Sequence, residues 1–295
     1  MKKIGIVSCN KWVGKLEEDI NLKKYLNELG VDARIISWQQ PLDDNYDLLI
    51  IRSIWGYQDY FEEFKRWLNN INNKGLKVYN DPDLVLNNVL KDRQFNILTK
   101  NGIDVIETQI FSQNDLGMLG ERIYKKPYVV KPTISGSGDN TYCVDEDDEL
   151  DIPNKIKVSD VIRIYRPILE KSKDCGIIVQ PFIKEIDQGE YSCIFIDGEL
   201  THTMMRYPNI FHDKKRPHII DEVPEEVLRL AKKVEQIPEY KNYLYMRVDM
   251  VLIDGVAKIM EVELAEPDLL TKYISDQEKK DIVIRKFAKS IERRC

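Results

Sequence analysis

The sequence predicts an α/β fold that begins with a parallel sheet and continues with α+β elements. In residues 1–80, short apolar runs alternate with amphipathic helical patterns, which is typical of parallel strands joined by crossover helices. Beyond residue 125, several apolar runs are separated only by Gly-rich or Asp-Gly turns, which indicates antiparallel hairpins. The 295 residues are enough for two or three packed units.

The first unit divides into four predicted strands and two predicted helices. The strands cover 3–8, 31–38, 46–53 and 75–80, and the helices cover 16–30, which ends at a glycine, and 58–71. Because ligands bind such sheets at the carboxyl ends of strands, the segments 8–15 and 52–60 are candidate site loops. A Gly-Lys pair in the first segment does not make a phosphate loop, since Cys9 and Leu16 stand where that motif needs Gly and Ser or Thr.

The rest of the chain mixes helices with hairpins. Helical patterns cover 81–102, 158–170, 225–237 and 278–294; strand patterns cover 103–111, two segments of 127–144, three of 177–206 and two of 245–267. The last strand pair is the most informative stretch, because it carries acidic residues inside apolar strands.

Composition excludes several classes of protein. The formal net charge of −6 argues against nucleic acid as a partner. Five scattered cysteines without paired spacing, and only three histidines, argue against a zinc site and indicate reduced thiols. The N-terminus is predicted to be a strand rather than a signal peptide, and no apolar run approaches the 18 residues of a membrane span. We therefore expect a cytoplasmic protein with no membrane partner.

The hairpin 245–267 carries Asp249, Glu261 and Glu263. Residues two apart on a strand share a face, so the two glutamates point the same way. A strict two-residue turn at Asp254-Gly255 would pair Asp249 with the wrong face, whereas an extra loop residue or a bulge would pair it with Glu261. We favour the bulged version, which gathers three carboxylates suited to Mg²⁺. The alternative is an edge hairpin with a solvated acidic face.

Two lysines precede this hairpin in suggestive places. Lys91 lies on the predicted helix 81–102, beside an apolar stripe. Lys131 ends a strand just before the loop ISGSGDN, whose Gly and Ser residues can lay backbone N–H groups over phosphate oxygens. The alternatives are a solvated helix lysine and an ordinary hairpin loop.

In this order and spacing, these features resemble the ATP-grasp superfamily over most of the chain. The segment QPFIKEIDQGE and the hairpin are similar to bacterial glutathione synthetase. The segments RSIWGY, VVKPTISG, RVD and MEVELAEP are similar to the O-ureido-serine cyclo-ligase-like group of D-cycloserine biosynthesis. The resemblance implies an ATP-grasp fold in three parts: a parallel α/β pre-ATP-grasp domain (1–83), a central subdomain with a Gly-rich lid (84–176) and a C-terminal subdomain with the metal-binding hairpin (177–295).

The resemblance also implies roles for individual residues. For ATP, these are Lys91 and Lys131 on the phosphates, Ser135, Gly136, Ser137 and Gly138 in the lid, Gln180 with the backbone of Phe182 and Ile183 on the adenine, and Glu190 on the ribose. For Mg²⁺, with Mn²⁺ as an alternative, the ligands are Asp249, Glu261 and Glu263. Arg247 and Lys131 are the catalytic residues, and Arg52, Tyr57, Arg206 and Glu266 are the substrate contacts. For Arg52, a structural ion pair at a strand end is the alternative.

The reaction implied is ligation of a small-molecule carboxylate to an amine through an acyl phosphate. A kinase acting on a hydroxyl and a non-catalytic nucleotide-binding regulatory protein remain as alternatives, and a homo-oligomer is left open. One segment departs from the related group. Residues 209–222 contain no glycine where that group has a Gly-rich stretch with an arginine. Lys215 or Arg216 is the candidate replacement, and ring closure is not implied.

Overall fold

The computed structural model describes residues 1–42, 45–118, 127–136, 138–207 and 215–295. These residues form three sheets with helices packed on them, which confirms the α/β class with α+β elements. No helix in these ranges combines the length and the apolar character that crossing a membrane requires.

The first sheet is fully parallel, with strand order β2-β1-β3-β4. Its strands are β1 (Lys3–Ser8), β2 (Asp32–Ser37), β3 (Leu48–Ser53) and β4 (Val78–Tyr79), and its helices are α1 (Glu17–Glu28) and α2 (Phe61–Asn73). The chain leaves α1 through Gly30 at φ +82°, a conformation that glycine adopts without strain. The strand and helix order predicted for this unit is confirmed.

The second sheet has the order β5-β9-β6-β7-β8 and carries one helix. Its elements are β5 (Gln109–Phe111), β6 (Tyr128–Pro132), β7 (Tyr142–Val144), β8 (Lys155–Ile156), α5 (Val158–Leu169) and β9 (Ile177–Pro181). The buried Tyr165 of α5 fixes the helix, because its hydroxyl donates to the carbonyls of Val130 (2.6 Å) and Asn140 (2.7 Å). The segment 103–111, predicted as one strand, forms a strand only over its last three residues.

The third sheet is antiparallel, with the order β12-β11-β10-β13-β14. Its strands are β10 (Glu190–Ile196), β11 (Glu199–Arg206), β12 (His218–Ile219), β13 (Tyr245–Ile253) and β14 (Val256–Glu263), flanked by α6 (Glu225–Glu235) and α7 (Gln277–Arg294). One face buries Met246, Val248 and Met250 against α6. The other face buries Tyr245 against α7, and further along the same strand it carries Arg247 and Asp249.

The helix predicted over 81–102 is two helices, α3 (Pro82–Val89) and α4 (Lys91–Lys100). The break falls at Leu90, which is extended at φ −87° and ψ 92°. At this point the N–H of Lys91 donates to the carbonyl of Thr133 (3.0 Å) instead of continuing the helical ladder. The start of α4 is therefore tied to the strand end that precedes the Gly/Ser loop.

The boundary predicted between the second and third parts, 176/177, cuts a sheet. Strand β9 pairs with β5 and β6, so by hydrogen bonding it belongs to the second sheet. The next strand, β10, joins the third sheet. The boundary between the two parts stays a prediction.

Candidate active site

A cavity of about 690 Å³ is lined by residues of the second and third sheets. This volume lies within the usual range for small-molecule sites. The predicted site residues that line it are Lys91, Lys131, Ser135, Gly136, Gly138, Gln180, Phe182, Ile183, Glu190, Arg206, Arg247, Asp249, Glu261, Glu263 and Glu266. Arg52 and Tyr57 are not among the lining residues. Ser137 lies outside the described residues.

The hairpin has the register that the sequence analysis favoured, and a bulge produces it. The turn itself has two residues, Asp254 at φ +50° and Gly255 at φ +80°. Met250 pairs with Ile259 but Asp249 pairs with Glu261, so Met260 is the extra residue. The bulge therefore lies within β14 and not in the loop, and it brings Asp249 and Glu261 to the same face.

Arg247 is the centre of the charges on this face. Its guanidinium donates to Asp249 (Nε to Oδ1, 2.9 Å), to Glu263, and to the carbonyl of Asp268 (3.0 Å). Asp249 also accepts from Arg206 (3.0 Å) and from the Ser192 hydroxyl (2.6 Å). Burial alone would raise the pKa of Asp249, but the charges of Arg206 and Arg247 outweigh burial and hold it at about 2. Asp249 therefore stays ionised at neutral pH.

The two glutamates of β14 differ in charge state. Glu261 is bonded to the ammonium of Lys91. Burial opposes ionisation of Glu261, but Lys91 and Lys131 outweigh it and lower its pKa. For Glu263 burial dominates over the single pairing with Arg247 and raises the pKa to about 8. One carboxylate is thus firmly ionised and its neighbour on the same face holds its charge weakly.

Lys131 differs from three other cations of the cavity. Among the described residues it has no hydrogen bond or salt bridge within 4 Å, whereas Lys91, Arg206 and Arg247 each hold a carboxylate. Burial lowers the pKa of Lys131 to about 8. A buried ammonium without a partner is costly, so this position is suited to an anionic ligand.

Arg206 bridges two predicted ligand-binding acids. It donates to Glu190 and to Asp249, both at 3.0 Å. Its buried Nε has no partner among the described atoms. The predicted ribose contact and a predicted metal ligand thus share one arginine, which lies beside the nucleotide and metal residues.

Arg52 was predicted to bind the acceptor substrate, but the structure places it outside the cavity lining. It is only 4% exposed, its guanidinium donates to Glu18 (2.9 Å) and to the carbonyl of Pro267 (3.1 Å), and it lies 3.4 Å from Asp19. Its positive charge is therefore paired with Glu18 and Asp19 inside the protein. The alternative of a structural ion pair at a strand end describes this residue.

The donor chemistry at the hairpin fits Mg²⁺, which takes oxygen ligands. Glu261 and Glu263 both reach the cavity, with side chains 29% and 25% exposed. Within the described ranges, however, no three ligating side chains converge as a metal site requires. Each acid is held by Lys91, Arg206 or Arg247 instead. These cations neutralise carboxylates that would otherwise be buried as bare charges.

Two segments predicted to hold the nucleotide adjoin β6: one follows from its neighbour β9, and the other lies in the loop that joins β6 to β7. The N–H of Phe182, predicted to read the adenine, donates to the carbonyl of Pro127 (3.2 Å) and is therefore already used. The Gln180 amide donates to the Thr108 hydroxyl (2.9 Å). In the lid loop, Ser135 is turned inward, since its hydroxyl donates to the carbonyl of Pro132 (3.0 Å).

Three amide side chains that the sequence analysis missed position the hairpin. Asn80 donates to the carbonyls of Tyr245 (2.9 Å) and Leu264 (2.6 Å). Asn88 donates to Val262 (2.7 Å) and accepts from the N–H of Leu264, and Gln94 bonds both backbone groups of Val262. For Asn88 and Gln94, the signal available in the sequence was an amide beside apolar residues of the predicted helix 81–102, a position where a buried polar group needs a partner.

The three sheets form an ATP-grasp fold, and the cavity lies between the second and third of them. A family model described as the N-terminal domain of D-cycloserine synthetase DcsG matches residues 4–80. The solved structure of D-cycloserine synthetase DcsG superposes with a TM-score of 0.78 at 19% identity, covering 99% of both chains.

Two further solved structures show the same fold. An ATP-grasp RimK domain protein from Sphaerobacter thermophilus has a TM-score of 0.70 at 14% identity, covering 98% of both chains. D-alanine–D-alanine ligase from Bacillus anthracis, complexed with ATP, has a TM-score of 0.64 at 17% identity, covering 100% of this chain and 98% of that one. No curated protein matches this chain.

Proposed function

We propose that this protein is an ATP- and Mg²⁺-dependent ligase that joins a small-molecule carboxylate to an amine through an acyl phosphate. The observation that carries the proposal is the cavity itself. It combines Lys131, an ammonium that has no ion pair within the described residues, with a face of carboxylates around Arg247. Such a site can bind a polyphosphate and a divalent cation together. The similar structures of two amide-forming systems support the same chemistry.

ATP would lie along β6 and β9, with its phosphates toward the hairpin. Lys131 and Lys91 would bind phosphate oxygens as compact positive charges, and Gly136 and Gly138 would let the lid backbone approach them. Of the two predicted backbone contacts to the adenine, the N–H of Ile183 is the one retained here, because the N–H of Phe182 already bonds the carbonyl of Pro127. Glu190 would accept from the ribose once its bond with Arg206 is exchanged.

Glu261, Glu263 and Asp249 would hold Mg²⁺, which supplies charge neutralisation on the phosphates when bound. Arg247 then faces the transferred phosphoryl group and stabilises the charge that develops during transfer. The lid keeps water from the acyl phosphate, which would otherwise hydrolyse. No protein nucleophile takes part, so the chain contributes mainly by positioning and by electrostatics.

The acceptor end of the cavity includes Trp55, Glu266 and Asp268. The segment 209–222, which lacks glycine, leaves both ring closure within one substrate and ligation of two substrates open. The proposed partners are therefore small molecules, and a cytoplasmic location stays a prediction from the sequence.

A hydroxylamine screen tests the proposal. Carboxylates, including amino acids and ureido and amino-oxy analogues, are offered singly with Mg·ATP and hydroxylamine, and hydroxamate is measured. A ligase forms hydroxamate, ADP and phosphate from its own carboxylate. A kinase releases ADP without phosphate, and a regulatory protein binds Mg·ATP without turnover. Absence of Mg·ATP binding in a calorimetric titration would contradict the assignment altogether.

A further inference from the structure

Among the described residues, six carboxylates line the cavity, and five of them form an ion pair with a lysine or arginine. The pairs are Glu190 with Arg206, Asp249 with Arg206 and Arg247, Glu261 with Lys91, Glu263 with Arg247, and Asp268 with Lys272. Glu266 is the exception: within the described ranges no lysine or arginine lies within salt-bridge distance of it. Among the described residues, Glu266 is therefore the lining carboxylate that has no ion pair.

Glu266 is buried rather than solvated. It is 8% exposed, and its bond partner is the hydroxyl of Tyr57, which is 2% exposed. A neutral hydroxyl orients a carboxylate but does not neutralise it. Burial raises the pKa of Glu266 to about 7, with the charge of Lys91 opposing it. A cation that entered the cavity would offset this cost of burial.

The lid lies directly against this carboxylate. A Cβ placed on Gly136 would be 3.7 Å from Oε1 of Glu266 and 3.9 Å from the hydroxyl of Tyr57. Because Gly136 has no side chain, this gap stays open next to the loop proposed to cover the phosphates. Glu266 is thus placed beside the lid, where an activated carboxylate and its attacking group would meet.

Aromatic residues line the same cavity. Trp55 and Tyr273 line the cavity with Glu266, and the ring of Trp55 is held edge-on by Trp12 at 6.3 Å. Aromatic faces attract ammonium groups, most strongly in a desolvated site. A cavity that combines a carboxylate with such rings is suited to a primary ammonium group.

We propose that Glu266, oriented by Tyr57, binds the protonated amine of the acceptor substrate. The acceptor is accordingly a primary aliphatic amine that arrives as a cation. This inference rests on the proposed ligase function, to which it adds the class of the second substrate and the group that recognises it.

The same placement accounts for the protons of amide formation. The ammonium gives one proton to the Glu266 carboxylate, and the freed lone pair attacks the carbonyl carbon of the acyl phosphate. The C–N bond forms as the bond between the carbonyl carbon and the bridging oxygen breaks, and the phosphate leaves with that electron pair. The second proton of the amine leaves with it as hydrogen phosphate.

The experiment compares two nucleophiles on one enzyme. Hydroxylamine is small and uncharged in neutral buffer, so it traps the acyl phosphate without needing a carboxylate partner. The other nucleophiles tested are primary aliphatic amines, which are cations in the same buffer. Rates with both kinds of nucleophile are measured for the wild type, Glu266→Gln, Tyr57→Phe and Glu222→Gln. The last variant removes the same charge from an exposed residue that does not line the cavity.

We expect Glu266→Gln to lower kcat/KM for the amine by about 30- to 100-fold, the effect of losing a charged hydrogen bond, with hydroxamate formation retained. Tyr57→Phe should lower it by about three- to tenfold, since it removes a neutral hydrogen bond. Glu222→Gln should match the wild type in both reactions.

The outcomes separate the two proposals. Absence of hydroxamate in the wild type contradicts the ligase function. Hydroxamate in the wild type, together with no stimulation by any cationic amine or an unchanged amine reaction in Glu266→Gln, overturns the role of Glu266. Weaker Mg²⁺ binding to the nucleotide-bound Glu266→Gln variant would also overturn it, because Glu266 would then be a metal ligand.

Discussion

Two buried arginine clusters in this protein have the same composition and different surroundings. One joins Arg247 to Asp249 and Glu263, and the other joins Arg52 to Glu18 and Asp19. The Arg247 cluster lines the cavity. The Arg52 cluster is covered instead by the rings of Tyr245 and Phe287, 4.9 and 5.5 Å from its guanidinium.

The difference shows what makes a charge cluster a candidate site. In the Arg52 cluster every partner belongs to the protein: Glu18 also accepts from the N–H and hydroxyl of Thr271, so the cluster fastens α1 to the chain beyond β14. In the Arg247 cluster Glu263 lines the cavity, is 25% exposed and has room for another partner. Substitutions should therefore reduce turnover in one cluster and stability in the other.

The largest effect is expected for Glu261→Gln. The variant keeps the shape of the side chain but removes a charge proposed to place Mg²⁺, so phosphate release should fall by about 100- to 1,000-fold. Circular dichroism should show that the fold is retained. Wild-type turnover in this variant would contradict the metal assignment, and Glu222→Gln serves as the control for lost charge.

Arg52→Met should mainly destabilise the fold. Removing the arginine leaves Glu18 and Asp19 buried without their cation, which costs about 3–5 kcal/mol of unfolding free energy. Urea titration measures this, and Mg·ATP affinity of the folded protein should be nearly unchanged. The matched variant is Arg247→Met. It should mainly lose turnover rather than stability, because Asp249 still pairs with Arg206. Lost ATP affinity in Arg52→Met would mean that its cluster belongs to the site.

Asn88→Ala tests the support of the hairpin. It leaves the carbonyl of Val262 and the N–H groups of Leu264 and Ala265 without this partner, at a cost of about 2 kcal/mol. Because these groups border the face that carries Glu263, turnover should fall together with stability. An unchanged denaturation midpoint would show that the amide does not support the strand.

The smallest effect concerns His202, which lies beside the Arg52 cluster and donates through Nε2 to the carbonyl of Leu269 (2.8 Å). Burial lowers its pKa from the ordinary 6.5. As pH falls below 6.5, the unfolded chain takes up a proton that the folded chain does not, so stability declines. His202→Gln should remove this slope, at most about 1.4 kcal/mol per pH unit, in denaturation between pH 7 and about pH 5. Parallel curves for both proteins would contradict the buried neutral histidine.

Much of this arrangement could be predicted from local patterns. Strand and helix alternation predicted the parallel sheet, and the two-residue spacing of Glu261 and Glu263 predicted their shared face. The break at Leu90 could not be predicted, because it depends on a bond from Lys91 to Thr133, distant in sequence. The place of Arg52 was equally hidden, since a strand-end arginine looks the same whether it faces a cavity or an aromatic cover.

The side-chain amides of Asn88 and Gln94, which bond the backbone at β14, have a consequence for association between molecules. This strand is the edge of the third sheet, and an exposed edge invites a strand from another chain. Here Gln94 and Asn88 occupy backbone groups of Val262 and Leu264, and Asp104 and Ile106 bond both backbone groups of Ile259. Strand addition at these positions would have to displace these bonds. A homo-oligomer, if one forms, should therefore assemble through another surface, and loss of these amides should make the protein more prone to aggregate through this edge.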